Sequence, residues 1–330
     1  MNGVLIIDDE EGVRRALHKA LGKEDYQIFL ATDGQEAINL VTAHPDDIAI
    51  VISDYKMPGI DGLQTLIAIG NLNPDITRIM LTGYATLESA IAATNEGLDG
   101  FLTKPFDNME LRAKVREYFV RKRLKQFVSP QVLHELQERP SQLLPRNCIV
   151  SVLFVGIRGF TALTGRHEPQ AWAAFLSQNY FSPMGEIIFR NHGTLDKHIG
   201  DCIMAIYGAP SASGDDARRA VRSALEMRDQ MATLNAAAEP AYQLPIGIGS
   251  HTGEVVAGMF GSARKREYTA LGQTVNVANR LQKLATSGQI VITQATRDAV
   301  GDGLMVEELP PLTMRGISDS VPLFNVVSLI

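Results

Sequence analysis

Two cysteines in 330 residues are too few to staple a fold. Cys148 and Cys202 both lie in apolar, strand-like runs and read as buried thiols of a reducing compartment rather than as a disulfide. No apolar run approaches membrane-spanning length, and the amino terminus lacks the basic stretch and apolar core of a signal peptide, so a cytoplasmic protein without a membrane partner is expected. There is no excess of positive charge: the net charge of −6 and the lack of a helix-turn-helix signal exclude a general nucleic-acid binder. Internal repeats and low-complexity tracts are absent as well. What is present is an ordinary globular composition, 45% hydrophobic and 21% charged, in a chain long enough for two domains.

The chain reads as three parts, 1–120, 121–145 and 146–330. In the first, the apolar runs VLIID (4–8), IAIVISD (48–54), RIMLTG (78–83) and GFLTKP (100–105) alternate with helical patterns. Continuous apolar strands between helices predict a doubly wound α/β fold with a parallel sheet covered on both faces. A basic helical segment follows, in which LRAKVREYFVRKRLK carries seven Lys or Arg and one Glu. Ser129-Pro130 then supplies an N-cap and first-turn pair for a second helix. The spacing from Cys148 onward predicts strand 148–157, helix 168–190, two strands within 194–207, helix 215–236 and strand 244–250. That order is the β-α-β-β-α-β, ferredoxin-like pattern of an α+β domain.

In a doubly wound sheet the carboxyl ends of the strands form the ligand crevice. Here the strands end in Asp8 and Asp9, Asp54 and Thr82, and Lys104 follows the last. Three carboxylates together call for a cation, and oxygen-only ligands suit Mg²⁺, which keeps waters and takes a phosphate oxygen. A lysine there holds a phosphoryl group as a point charge. The residues read as a Mg²⁺-assisted phosphoryl acceptor.

With DDE (8–10), DYKMPGIDG (54–62), LTGYA (81–85) and LTKPF (102–106), the first part resembles the receiver domain of a two-component response regulator, a flavodoxin-like fold. The resemblance implies phosphorylation of Asp54 by a cognate histidine kinase. It implies a Mg²⁺ site of Asp8, Asp9, Asp54 and the carbonyl of Lys56. Thr82 and Lys104 would contact the phosphoryl group, Phe101 would be the aromatic that moves on activation, and Lys104-Pro105 would be cis.

The third part holds LFVGIRGFT (153–161), a buried strand running into a Gly-containing turn of the kind that presents backbone N–H groups to an anion. It also holds TLDKHIGDCIMAIYG (194–208), a hairpin with Gly200-Asp201 at its tip. The ferredoxin-like order places Asp201 beside Gly156 and the turn at Gly159. In REYTALGQTVNVANRL (266–281), Asn276 and Arg280 are spaced to share a helix face. His198 and His251 read as packing residues.

Together with YGAP, HTGEVVAG and LTMRGISDSVPLFNV, these segments resemble the class III nucleotide cyclases over about 148–328. Such enzymes form cyclic AMP or cyclic GMP at the interface of a head-to-tail homodimer, with two divalent ions bridged by two Asp. The resemblance implies that Asp201 and the backbone of Ile157 meet metal, Mg²⁺ or Mn²⁺ arriving with ATP. The first metal Asp falls on Gly156. Lys197 and Thr269 match the purine-reading pair, in a form that suits adenine. Asn276 and Arg280 match the groups that orient ribose and stabilise the transition state. Gly159, Phe160, Thr161 and Arg315 match phosphate contacts. Gln273 departs from the pattern, which has Asp there. Two functions follow. One is a phosphorylation-controlled adenylyl cyclase weakened as a homodimer. The other is a pseudocyclase that binds nucleotide or a heterologous cyclase subunit.

Overall fold

The computed structural model describes residues 2–83, 97–313 and 320–330, arranged as two compact units, Met1–Phe127 and Val128–Ile330. Arg315, expected to contact phosphate, lies outside the described residues, as do Tyr84 and Ala85 of LTGYA.

The first unit is built on five strands, β1 (Asn2–Ile7), β2 (Tyr26–Ala31), β3 (Ile48–Asp54), β4 (Thr77–Thr82) and β5 (Gly100–Thr103). All neighbours are parallel, in the order β2-β1-β3-β4-β5. Val4, Leu5, Ile6 and Ile7 are all fully buried, because helices cover both faces of the sheet and leave no room for alternation. Among the described residues the helices are α1 (Glu11–Leu21), α2 (Gly34–Ala43), α3 (Gly62–Leu72) and α4 (Asn108–Lys125). Asp33, Asp61 and Asp107 cap α2, α3 and α4 by accepting backbone N–H groups of the first turn.

The segment expected as a connector is shared between the units. Helix α4 belongs to the first, whereas α5 (Pro130–Glu138) packs into the second through Val132, which joins Leu143, Val150, Val152 and Phe154 in one apolar cluster. Pro130 occupies the first turn of α5 as expected. Ser129 precedes it without capping: its hydroxyl donates to Gln131 Oε1 at 2.7 Å.

The second unit carries β6 (Arg146–Ile157), the short helices α6 (Phe160–Thr164), α7 (Pro169–Leu176) and α8 (Ser182–Arg190), then β7 (Thr194–Ile199) and β8 (Cys202–Tyr207). It continues with α9 (Asp216–Ala237), β9 (Ile246–Gly261), β10 (Arg266–Leu271), α10 (Gln273–Leu284), β11 (Ile290–Thr293), α11 (Gln294–Val300), β12 (Leu304–Thr313) and β13 (Ser320–Leu329). The sheet runs β12-β13-β11-β9-β6-β8-β7, with β10 paired to β9. The central strand β6 is buried from Val150 through Ile157 and lies between β8 and β9. The single predicted helix over 168–190 is divided by a π-turn at Ser177–Phe181. The apolar face of α9 covers one side of the sheet through Ala220, Val221, Ala224 and Met227. Cys148 and Cys202 are free thiols and only half-buried, at the edge of the cluster on the other side. Among the described residues no helix is long and apolar enough to cross a membrane.

Candidate functional site

In the first unit the site follows from strand register. Ile7 is level with Ser53 across the β1–β3 pair, so the next residues, Asp8 and Asp54, emerge together at the carboxyl edge. Thr82 ends β4 level with Thr103, which brings Lys104 to the same edge. Lys104 Nζ lies 2.8 Å from Asp8 Oδ2 and 2.6 Å from Asp54 Oδ1. Burial works against the ammonium charge, yet its hydrogen bonds to Asp54 and Asp8 outweigh this and hold Lys104 above its ordinary pKa. Asp8 is fully buried and Asp54 nearly so. The Lys56 N–H donates to Asp54 Oδ2 at 3.1 Å, and the Lys104 N–H donates to the Thr82 carbonyl at 2.8 Å. Lys104-Pro105 is cis. Phe101 is half-buried, and its carbonyl accepts the Tyr118 hydroxyl at 3.0 Å. Asp9 is exposed, and among the described residues no three acidic, His or Cys side chains converge as a metal cluster. Lys104 stands between the Asp8 and Asp54 carboxylates.

In the second unit the β7–β8 hairpin carries Asp201 to the end of β6, where Asp201 Oδ2 accepts the Ile157 N–H at 2.8 Å. A cleft of about 570 Å³ opens there, lined by Ile157, Gly159, Phe160, Thr161, Asp201 and, from α10, Gln282. Gly159 takes a left-handed conformation, φ 70°, at the entry to α6, which explains glycine at that turn. A Cβ built at Gly156 would stand 2.3 Å from Gln282 Nε2 and 3.4 Å from an Arg158 nitrogen. The Gln282 amide thus fills the space beside residue 156. Arg158 anchors the same end of the strand. Its Nη1 donates to the carbonyls of Gln282, Lys283 and Ala285 at 3.0–3.4 Å, and its Nη2 donates to Gly156 O. A guanidinium there meets the negative end of the α10 dipole.

Lys197, Thr269, Asn276 and Arg280 do not line this cleft. Asn276 and Arg280 are both exposed on α10, on a different side from Gln282. Lys197 and Thr269, far apart in sequence, are joined by a residue the motif reading passed over. The hydroxyl of Thr269 donates to Asp196 Oδ2 at 2.6 Å, and Lys197 Nζ stands 3.8 Å from Asp196 Oδ1. Burial raises the Asp196 carboxyl to about 6, against the hydrogen bond from Thr269 and the charge of Lys197. Gln273 begins α10 and is exposed. His251 is half-buried, with a 2.7 Å contact to the Thr293 hydroxyl, and burial lowers it to about 4. His198 sits edge-on against Phe181 at the surface.

Residues 4–116 match the response regulator receiver domain family, and residues 145–324, more than half of the chain, match the adenylate and guanylate cyclase catalytic domain family. The sporulation initiation phosphotransferase F of Bacillus subtilis is 35% identical over 115 residues, 35% of this chain and 91% of that protein. Adenylate cyclase 1 of Rhizobium meliloti is 29% identical over 187 residues, 55% of this chain, but the chain spans only 28% of that relative. Among solved structures, the adenylyl cyclase CyaB from P. aeruginosa superposes with a TM-score of 0.53 at 33% identity, over 56% of this chain and 97% of that one. The guanylyl cyclase Cya2 superposes equally well, TM-score 0.53 at 32% identity, over 56% of this chain and 94% of that one. The chain therefore belongs to the class III adenylyl and guanylyl cyclase family, with a response regulator receiver domain at its amino-terminal end.

Proposed function

We propose that the chain is a phosphorylation-controlled adenylyl-type cyclase whose homodimer is weak because each cleft has one metal carboxylate instead of two. The observation that carries this reading is the end of β6. Asp201 is bound to the Ile157 N–H, and the place of a second carboxylate is taken by Gly156 with the Gln282 amide beside it.

In the receiver unit, the hard oxygen donors Asp8, Asp9, Asp54 and the Lys56 carbonyl would suit Mg²⁺, which would neutralise an incoming phosphoryl group. Asp54 supplies the attacking carboxylate oxygen and forms a P–O bond as the donor's bond to phosphorus breaks. Lys104 then exchanges its contact with the Asp54 carboxylate for a phosphoryl oxygen, and Thr82 lies beside it on the next strand.

In the cyclase unit the donor set, one carboxylate and a backbone carbonyl, falls short of the pair needed to bridge two ions. The remaining chemistry divides between two copies. One copy contributes Asp201 and the turn 159–161. The other contributes Lys197, Thr269, Asn276 and Arg280, which lie off the Asp201 cleft of their own chain. The purified protein is then expected to form cyclic AMP slowly with Mg²⁺ or Mn²⁺. Gly156→Asp should raise the rate by about two orders of magnitude or more, the scale of a lost transition-state contact. The new side chain displaces only the far end of Gln282, which is flexible. A chain combining Gly156→Asp with Asn276→Ala and Arg280→Ala should recover activity only when mixed with the original chain. Fast turnover by the original homodimer would overturn the reading.

The crowding of Gly156 by Gln282 favours a second reading, a pseudocyclase that binds nucleotide or a heterologous subunit without turnover. Inactivity of both the repaired homodimer and the mixture would select it.

A further inference from the structure

We infer that Asp196 sets the purine specificity of this chain by fixing the direction of the Thr269 hydroxyl. The inference deepens the adenylyl-type reading and rests on it. Strand β7 contains a bulge: Leu195 pairs with Ala205 and Lys197 with Met204, which leaves Asp196 as the extra residue. A bulge re-aims side chains out of the regular alternation. Here the Asp196 side chain is only 1% exposed, while its neighbour Lys197 is 34% exposed. The carboxylate under the strand reaches across to β10 and accepts the hydroxyl hydrogen of Thr269 at 2.6 Å. Its other oxygen, Oδ1, is buried and has no hydrogen-bond partner among the described residues, with only the Lys197 ammonium near it at 3.8 Å, so Thr269 makes the one hydrogen bond to this carboxylate among them.

A threonine hydroxyl has one hydrogen and two acceptor lone pairs. With the hydrogen committed to Asp196, Thr269 offers a ligand acceptors only. Lys197 offers only donors. An edge that meets a donor with an acceptor and an acceptor with a donor is the N1 and 6-amino edge of adenine. The 6-oxo purines present the opposite pattern, a carbonyl at position 6 and an N–H at position 1. Burial keeps the Asp196 carboxyl from ionising until about pH 6, so above that pH it is acceptor-only. Asp196 is a positioning residue: its carboxylate is sealed from ligand, and it acts through Thr269.

The test is binding of ATP, GTP and inosine triphosphate to the full chain by calorimetry at pH 8. Inosine triphosphate isolates position 6, because it has the carbonyl and lacks the 2-amino group. The original chain is expected to prefer ATP over both others. Asp196→Asn, whose amide can donate to the Thr269 oxygen and turn the hydroxyl hydrogen outward, should lower the ATP to inosine triphosphate affinity ratio by about tenfold, the scale of one mismatched polar contact. Thr269→Val should lower it similarly, and the double variant should lose no more than either single one. Asp196→Ser, smaller and able to admit water, is the second variant and should also relax the ratio. An unchanged ratio in folded Asp196→Asn and Asp196→Ser, with the original chain still preferring ATP, overturns the inference and leaves the adenylyl-type reading standing. Equal binding of all three nucleotides by the original chain, or preference for GTP, overturns the adenylyl-type reading and the inference with it.

Discussion

Asp196 and His251 carry opposite proton linkages over one pH window. Asp196 is raised from 3.8 to about 6, so the folded chain keeps a proton that the unfolded chain has released. Stability is therefore lost as pH rises from about 4 to 6, by up to about 3 kcal/mol. His251 is lowered from 6.5 to about 4, so the folded chain refuses a proton that the unfolded chain takes. Its contribution is lost as pH falls from 6.5 toward 4, by a similar amount. The two largely cancel in the original chain. Removing the Asp196 charge leaves His251 unopposed, so Asp196→Asn should be at least as stable as the original at pH 7.5. It should lose stability more steeply on acidification to pH 4.5. Urea unfolding midpoints across this range check it; parallel curves for the two proteins would contradict the assignment. In the other unit, Asp54→Asn should abolish labelling by a small phosphodonor such as acetyl phosphate. Undiminished labelling would exclude Asp54 as acceptor.

At the scale of elements, Arg158 ties the end of β6 to the end of α10. Its Nη1 serves three carbonyls that the helix and the turn after it leave without intrahelical donors. Among the described residues its Nε is buried without a partner, and the side chain is held there by that cap and by Gly156 O. Arg158→Met keeps much of the apolar stem and deletes the cap. It is expected to cost about 2 kcal/mol of stability, the scale of charge-assisted hydrogen bonds and a helix-end charge. Because the same contact holds residue 156 beside Gln282, it should also reduce nucleotide affinity. A variant with unchanged thermal stability would show that the helix end is satisfied by water instead.

At the scale of the molecule, the boundary between units decides which fragments fold well. A cut before Arg146 removes Val132 and Leu143, which are 5% and 3% exposed in the full chain. Each apolar side chain of that kind is worth about 1.5–3 kcal/mol on burial. A 128–330 fragment is therefore expected to unfold at clearly higher denaturant than a 146–330 fragment. Equal midpoints would mean that α5 contributes nothing to the core it covers.

The parallel sheet, the crevice that gathers Asp8, Asp54 and Lys104, and the meeting of Asp201 with the end of β6 were all legible in the amino-acid order. The first two rest on local signals, continuous apolar strands and polar residues at strand ends, and the third on a Gly-Asp hairpin turn set within the β-α-β-β-α-β order. What the order of residues could not show was contact between remote strands. The bulge that buries Asp196 depends on how β7 pairs with β8, and its partner Thr269 comes from a strand 73 residues away. The Gln282 amide reaches Gly156 only because α10 packs against β6, and Arg158 caps that helix for the same reason. The split of α4 and α5 between two cores was equally hidden, since both read as polar helices until the packing of Val132 is known. Periodicity and turn chemistry act over a few residues and are written in the chain; side-chain partners across a sheet are settled only when the whole core closes.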